Sequence, residues 1–349
     1  MATSGTVGLT RFSTRKVIDN AYGVCKIVRQ EITPERIEVA NDWLFLRLSA
    51  MANRGIPLWL IQKTILPLYV ARQSVPLPVG VTDIMEINLR RINRLSGTGS
   101  SSAGTADNAF DGDFATECIT LANGWIQLQL TDGATRVPMF GILPGASGTW
   151  SYTMQGSNDG VAFTTFYTAT AQVVVDGEWF WFDVEGMEEW SYYRLQATGG
   201  TILNVEELVL ANTPSETNMA ELNLDNYASL PDKTSLGQPT SYWLNKQRTQ
   251  QIVTMWPGPG EISRFWNLVA YLQYQVQDVG TMAQEIQFRQ SAYRALVLNL
   301  GFDLSLVDKE AKPDPNLPIE AASAWSDMWD GESDTSSTML TPNIGVYTR

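Results

Sequence analysis

The chain has 349 residues, 44% hydrophobic and 10% aromatic, enough for more than one packed core. It contains no histidine, which excludes histidine-based triads, histidine general bases and most catalytic zinc sites. The formal charge of −13 is uneven: residues 1–96 hold 13 Lys/Arg against 7 Asp/Glu, residues 97–212 hold 2 against 14, and residues 213–349 hold 9 against 16, so the middle segment reads as a separate acidic domain, a plain solvated acidic surface accounting for the charge equally well.

No basic stretch followed by an apolar run opens the chain, and the apolar stretch from Ile56 is interrupted by Gln62, Lys63 and Pro67. Neither an export signal nor a membrane span is expected. A first helix is predicted over about residues 13–30. A second starts with Thr33 as N-cap and Pro34 in the first helical position, and Ile37, Ala40, Leu44, Leu48 and Met51 recur at helical spacing until Gly55. VPLPVGVTDIMEINLRR then reads as a turn and a strand.

SGTGSSSA (96–103) and ANTPSE (211–216) read as polar linkers. Between them WIQLQL, TWSYTMQGS, TTFYTATAQVVV, EWFWFDV, YYRLQA and VEELVL are short aromatic and β-branched runs separated by turn residues, the pattern of a β-sandwich. Glu188–Glu189 and Glu206–Glu207 are carboxylate pairs, but adjacent strand residues point to opposite faces, so no acid/base pair and no enzyme is expected.

Beyond the second linker, YWLNKQ and QQIVTMW form a predicted hairpin closed off by Pro257 and Pro259. Next, Trp266, Leu268, Ala270, Leu272, Tyr274 and Val276 share one face of a predicted strand. A helix is predicted from about Met282 to Leu300, stopped by Gly301. From Asp308 onward, prolines and Ser/Thr/Asp residues predict an extended or disordered tail, in which Trp325 and Trp329 stand at the spacing of a small helical anchor for a partner. Cys25 and Cys118 lie far apart in dissimilar contexts, which argues against a disulfide framework and for a reducing compartment.

NAFDGDFAT at 108–116, WIQLQL, YTMQGSNDGVAF, YYRLQA and VEELVL, in that order, resemble the discoidin-like, galactose-binding-like (coagulation-factor C-type) family over residues 103–211. Cys118 stands where that family has a tryptophan. The resemblance implies an all-β jelly-roll sandwich and a structural Ca²⁺ held by Asn108, Asp111, Asp113, Thr116 and Glu207; the loop residues taken alone fit a metal-free Asx-type turn equally. It also implies glycan recognition, for which the segment offers only Arg136 and Arg194 as cations, Arg194 within a strand motif. Trp150, Trp179, Trp181 and Trp190 are a stacking platform or core, and no glycan-binding residue is assigned.

The flanks resemble the phage head-to-tail adaptor (head-completion or tail-tubular) family. The resemblance rests on the helix pair before Trp59, on VPLPVGVTDIMEINLRR, on GQPTSYWLNKQRTQQIVTMWPGPG from Gly237 and on FRQSAYRALVLNLG. It implies an α+β protein: a discontinuous helical and β-hairpin adaptor domain (1–96 and 213–307), interrupted by the sandwich (97–212) and followed by a docking tail (308–349) with Trp325 and Trp329. The implied role is structural: a virion neck protein assembled in the host cytoplasm. As a homo-oligomeric ring, a dodecamer, it would join the portal protein to tail and nozzle proteins, with genomic DNA in its channel and the sandwich peripheral, within reach of a cell-surface glycan. The alternative is a lectin-like, glycan-binding surface module.

Overall fold

A computed structural model describes residues 12–51, 60–184, 188–212, 214–275, 281–286 and 290–332; Trp59 and the tail beyond Glu332 lie outside the described residues. The chain is mostly β with a few helices, and it divides into two compact units: residues 1–62, 79–85 and 272–349, and residues 63–78 and 86–271. Among the described residues no helix is long and apolar enough to cross a membrane.

The first unit is built on four helices, α1 (Thr14–Val24), α2 (Pro34–Met51), α3 (Tyr293–Val307) and α4 (Leu317–Glu332). The Ser13 hydroxyl caps α1 through the Lys16 N–H, and the helix ends earlier than predicted because Lys26 adopts a left-handed backbone, φ 61°. In α2 the predicted stripe is buried at Ala40, Leu44 and Leu48, against Val17, Ile18, Ala21 and Tyr22 of α1 and Leu296, Leu300 and Leu304 of α3. Residues 281–286 are not helical, so α3 starts later than Met282. Gly301 does not stop α3: a Cβ there would lie 3.1 Å from the Ala21 carbonyl oxygen and 3.2 Å from Val24 Cβ, so the glycine lets α3 approach α1 closely.

Residues 317–332 differ most from expectation. The extended tail predicted from Asp308 is here the helix α4, burying Leu317, Ala321, Ala324, Trp325 and Met328 at steps of three and four. Pro318 sits in the first turn, where a missing N–H costs nothing. The Asn299 amide of α3 donates to the Ala321 carbonyl of α4 at 3.0 Å. The prolines before the stripe and the Ser, Asp and Glu residues between its positions hid it in composition.

The second unit contains strand β1 (Val81–Arg91, its residues from Glu86 onward) and a sandwich of β2 (Gly97–Ser101), β3 (Cys118–Ile119), β4 (Trp125–Leu130), β5 (Met139–Pro144), β6 (Gly148–Ser157), β7 (Thr164–Val174), β8 (Phe180–Asp183), β9 (Tyr192–Ala197) and β10 (Asn204–Ala211); β11 (Ser215–Asn218) follows it. One sheet has the order β2-β4-β9-β6-β7, the other β8-β5-β10-β3, and all their pairings are antiparallel. Ile126, Leu128 and Leu130 of β4 alternate inward, with Tyr193 and Leu195 of β9, to meet Phe140, Ile142, Leu208 and Leu210. Cys118 is fully buried in this core, and both cysteines are free thiols.

Both segments read as linkers contain strands. In β2, a Cβ on Gly97 would lie 2.0 Å from the Gln129 carbonyl oxygen; the glycine admits a neighbouring backbone and does not mark flexibility. In β11, Ser215 pairs with Arg91 and Glu216 with Arg90, so the chain leaves and re-enters one sheet on adjacent strands.

The predicted hairpin forms from Ser241–Asn245 and Ile252–Trp256 in antiparallel register. Strand Asn267–Tyr274 is buried on both faces through Asn267, Leu268, Val269 and Ala270, more than the single apolar face predicted. The outer side of β8-β5-β10-β3 is covered: Met139, Leu143, Trp179, Trp181 and Val209 form a cluster with Ile92, packed by Ile65, Tyr69, Phe114, Phe265 and Trp266. Trp179 stacks on Trp181 with centroids 4.8 Å apart, and the Trp179 N–H donates to the Tyr69 hydroxyl at 3.0 Å.

Candidate functional site

The five residues implied as calcium ligands meet at one corner of the sandwich. Asp111 accepts from the Asp113 N–H at 2.7 Å and from the Thr116 hydroxyl at 2.9 Å. Asp113 accepts from the Ala115 N–H at 3.1 Å, and the Asn108 amide donates to the Glu117 carbonyl at 3.0 Å. Glu207, fully buried, accepts from the Gly112 N–H at 2.8 Å. Its other oxygen lies 2.7 Å from Arg94 Nη2. That nitrogen directs an N–H at the Phe110 carbonyl, 2.9 Å away, so Arg94 and Glu207 are paired by charge without an aligned hydrogen bond.

Arg94 thus takes the position of a cation between the Phe110 carbonyl and Glu207, and the loop carboxylates face N–H and O–H donors. Among the described residues no three acidic or thiol groups gather as a metal shell. This donor arrangement does not fit a Ca²⁺ shell of six to eight oxygens. Adding a chelator is expected to leave the thermal melt of the protein unshifted.

Burial pushes the Glu207 carboxyl up to about 7, with Arg94 and the Gly112 N–H opposing it. A carboxyl raised on folding binds its proton more tightly in the folded state. Its contribution is therefore complete below the ordinary value of 4.5 and lost as pH rises through about 7. Glu207→Gln is expected to flatten the decline in stability between pH 5 and 8 by up to about 3 kcal/mol, measured by urea unfolding. A residual slope is expected from Glu206, which burial, Asp176 and Glu117 also push up to about 7.

The face of β2-β4-β9-β6-β7 that points away from the core has a different character. Strand register puts Gln127, Arg194 and Gln155 in one row and Trp125, Gln196 and Thr153 in the next. These side chains are half-buried. Arg194 Nε and Nη2 both donate to Gln155 Oε1, at 3.0 and 2.8 Å. The guanidinium lies 3.6 Å from the Phe163 ring centroid and 5.9 Å from that of Trp125. Burial lowers its pKa from the ordinary value.

Trp150, Trp179, Trp181 and Trp190, the tryptophans weighed as a platform, are all at most 9% exposed and serve packing. Trp125 and Tyr192 were missed as surface aromatics. The signal was present in WIQLQL and YYRLQA, whose alternation sends Trp125, Gln127 and Gln129, and Tyr192, Arg194 and Gln196, to the side opposite the core.

In the helical unit, Trp325 is buried and Trp329 packs beside it, their rings edge-on at 6.2 Å. Both line a cleft of ≈ 480 Å³ with Arg47, Asn299 and Phe302. Arg47 is held there by Asp303, its Nε donating at 2.8 Å.

No family model matches the chain, and no curated protein matches it. Solved structures do. Chitosan-binding module 1 of a chitosanase/glucanase from Paenibacillus sp. IK-5 is 24% identical, covering 35% of this chain and 99% of the module with a TM-score of 0.30. CBM62 from Clostridium thermocellum Xyl5A is 25% identical, covering 35% and 98% with a TM-score of 0.32. CBM32 of AlyQ, solved with 4,5-unsaturated mannuronic acid, is 14% identical, covering 35% and 99% with a TM-score of 0.31. At these scores the likeness carries no conclusion about activity, and the architecture of residues 97–211 rests on its own strand pairings. On those pairings the chain contains a two-sheet antiparallel sandwich.

Proposed function

We propose that this chain is a non-catalytic assembly protein that carries a carbohydrate-recognition module. The observation that carries the reading is the asymmetry of the sandwich: one sheet is covered by Tyr69, Phe265 and Trp266, and the other turns a polar and aromatic face outward. A module held by one face and open on the other suits display of a binding surface. The resemblance of the flanks to head-to-tail adaptors supports the finer form of the proposal. In it the chain forms a ring at the neck of a tailed phage virion, between the portal protein and tail or nozzle proteins, with DNA passing through the channel. The alternative, a glycan-binding surface module without assembly, shares the sandwich and lacks the ring.

Mass photometry of the full chain, alone and with a portal protein, separates the two. Ring-sized particles in either condition are expected. Monomers in both would remove the adaptor part, and failure of the chain to be retained by any polysaccharide in affinity electrophoresis would remove the carbohydrate part.

A further inference from the structure

The Arg194 guanidinium is the feature that the sandwich leaves unexplained. Among the described residues no carboxylate pairs with it, although residues 97–212 hold 14 Asp/Glu against 2 Lys/Arg. None of those acids lies in the five strands β2, β4, β9, β6 and β7; the strands of the other sheet carry Asp183, Glu206 and Glu207. Acidic charge is therefore kept off this one face. Partly burying a guanidinium costs free energy unless a partner offsets it.

Gln155 takes only one edge of the fork, Nε and Nη2, through a single oxygen. Phe163 covers one flat side at 3.6 Å and limits swinging. The edge formed by Nη1 and the second N–H of Nη2 has the spacing that a carboxylate accepts in two parallel bonds. Around it, Gln127 offers both a donor and an acceptor, the Thr153 hydroxyl accepts from Gln155 Nε2 at 3.2 Å and keeps its own O–H to donate, and Gln196, whose amide nitrogen donates to the Asn123, Gly124 and Ala197 carbonyls, keeps its Oε1 to accept from a hydroxyl. Trp125 is half-buried in the same row as Gln196, where the exposed part of its ring suits the C–H face of a sugar.

We propose that the open face of the β2-β4-β9-β6-β7 sheet binds a uronate-bearing polysaccharide, its carboxylate on Arg194, its ring on Trp125 and its hydroxyls on Gln127, Gln196 and Thr153. The inference rests on the carbohydrate-recognition reading and specifies its ligand class and site. A face with hydroxyl-matched side chains on both sides of the cation suits a polymer crossing several strands. An acidic peptide would use the charge and leave Gln127, the Thr153 O–H and the Gln196 Oε1 unused.

The test is affinity electrophoresis and calorimetry of the full chain with four probes: polygalacturonate, its methyl ester, a neutral galactan and polyglutamate. Polygalacturonate is expected to bind at least about tenfold more tightly than its methyl ester, since a charge-assisted bidentate pair is lost. Arg194→Lys, which keeps charge and loses the fork, and Arg194→Gln are expected to remove that preference, so that acid and ester bind alike, with the folded far-ultraviolet circular dichroism spectrum retained. Trp125→Ala is expected to weaken the acid and the ester alike. Equal binding of acid and ester, wild-type binding by Arg194→Gln, or equal binding of polyglutamate each overturns the proposal. Retention by galactan that is indifferent to Arg194 and Trp125 overturns it and leaves carbohydrate recognition standing; no retention by any polysaccharide overturns both.

Discussion

Removing residues 309–349 is expected to unfold the helical unit. The deletion takes away α4 and with it the burial of Leu317, Ala321, Ala324, Trp325 and Met328, leaves the Asn299 amide without the Ala321 carbonyl, and removes Glu310 from Arg36. Trp325→Ala alone is expected to cost about 3–5 kcal/mol, as for a large aromatic removed from a core. That is a large share of the 5–15 kcal/mol typical of a whole domain. Trp329, only partly buried, is expected to cost clearly less when changed to alanine. Urea unfolding followed by far-ultraviolet circular dichroism reads both. A Trp325→Ala protein as stable as wild type, with portal attachment lost, would return this tryptophan to the role of an anchor for a partner.

Arg90→Met is expected to destabilise the second unit markedly. Arg90 is 3% exposed and joins strands distant in sequence, donating to Asp183 of β8 at 2.6 Å and to Glu216 of β11 at 2.7 and 3.0 Å. Removing one member of a buried network leaves its partners unpaired, at a cost of about 3–5 kcal/mol. The lower end applies here, because Asp183 and Glu216 are each about one-third exposed and Lys63 stays beside Asp183. Burial would raise the Asp183 carboxyl, and Arg90 and Lys63 more than reverse that, holding it below 3.8. A depressed carboxyl contributes stability above its ordinary value and loses it as pH falls through the depressed one. Wild type and Arg90→Met should therefore differ most near neutral pH and converge on acidification. A constant difference down to pH 2 would show that packing, and not charge, is what Arg90 supplies.

Strands β4 and β9 were legible because each buries one face, and burial on one face writes a period of two into the residues; β5, buried on both faces, carries no such period and was missed. Helix α2 was legible for the same kind of reason, with a cap and a stripe in agreement. The β2 strand was not: Gly97 and Gly99 look like a flexible linker in composition, and only the neighbouring backbone, 2.0 Å from a Cβ at Gly97, shows what the glycine is for. Gly301 misled in the same way, since a glycine that ends a helix and one that lets two helices touch are written alike. The loop at 108–116 was found, but its cation was not, because Arg94 comes from outside the motif and meets Glu207 only through the fold. Trp179 and Trp181, weighed as a stacking platform or core, pack on the side away from the sandwich core, and the residues around them carried no sign of it. Nor did those residues say that this side is covered by Phe114 and Phe265.

The adjacency of Arg91 and Ser215 on β1 and β11 also constrains the order in which the protein folds. With the intervening stretch unstructured, joining those strands means closing a loop of roughly 120 residues, an entropic cost of about 4 kcal/mol before any contact between them is made. A sandwich that has already condensed brings its own two ends side by side and lifts most of that cost. Host-sheet closure should therefore be slow whenever the sandwich is slow, and a destabilised sandwich should appear in kinetics as delayed pairing of strands that lie outside it.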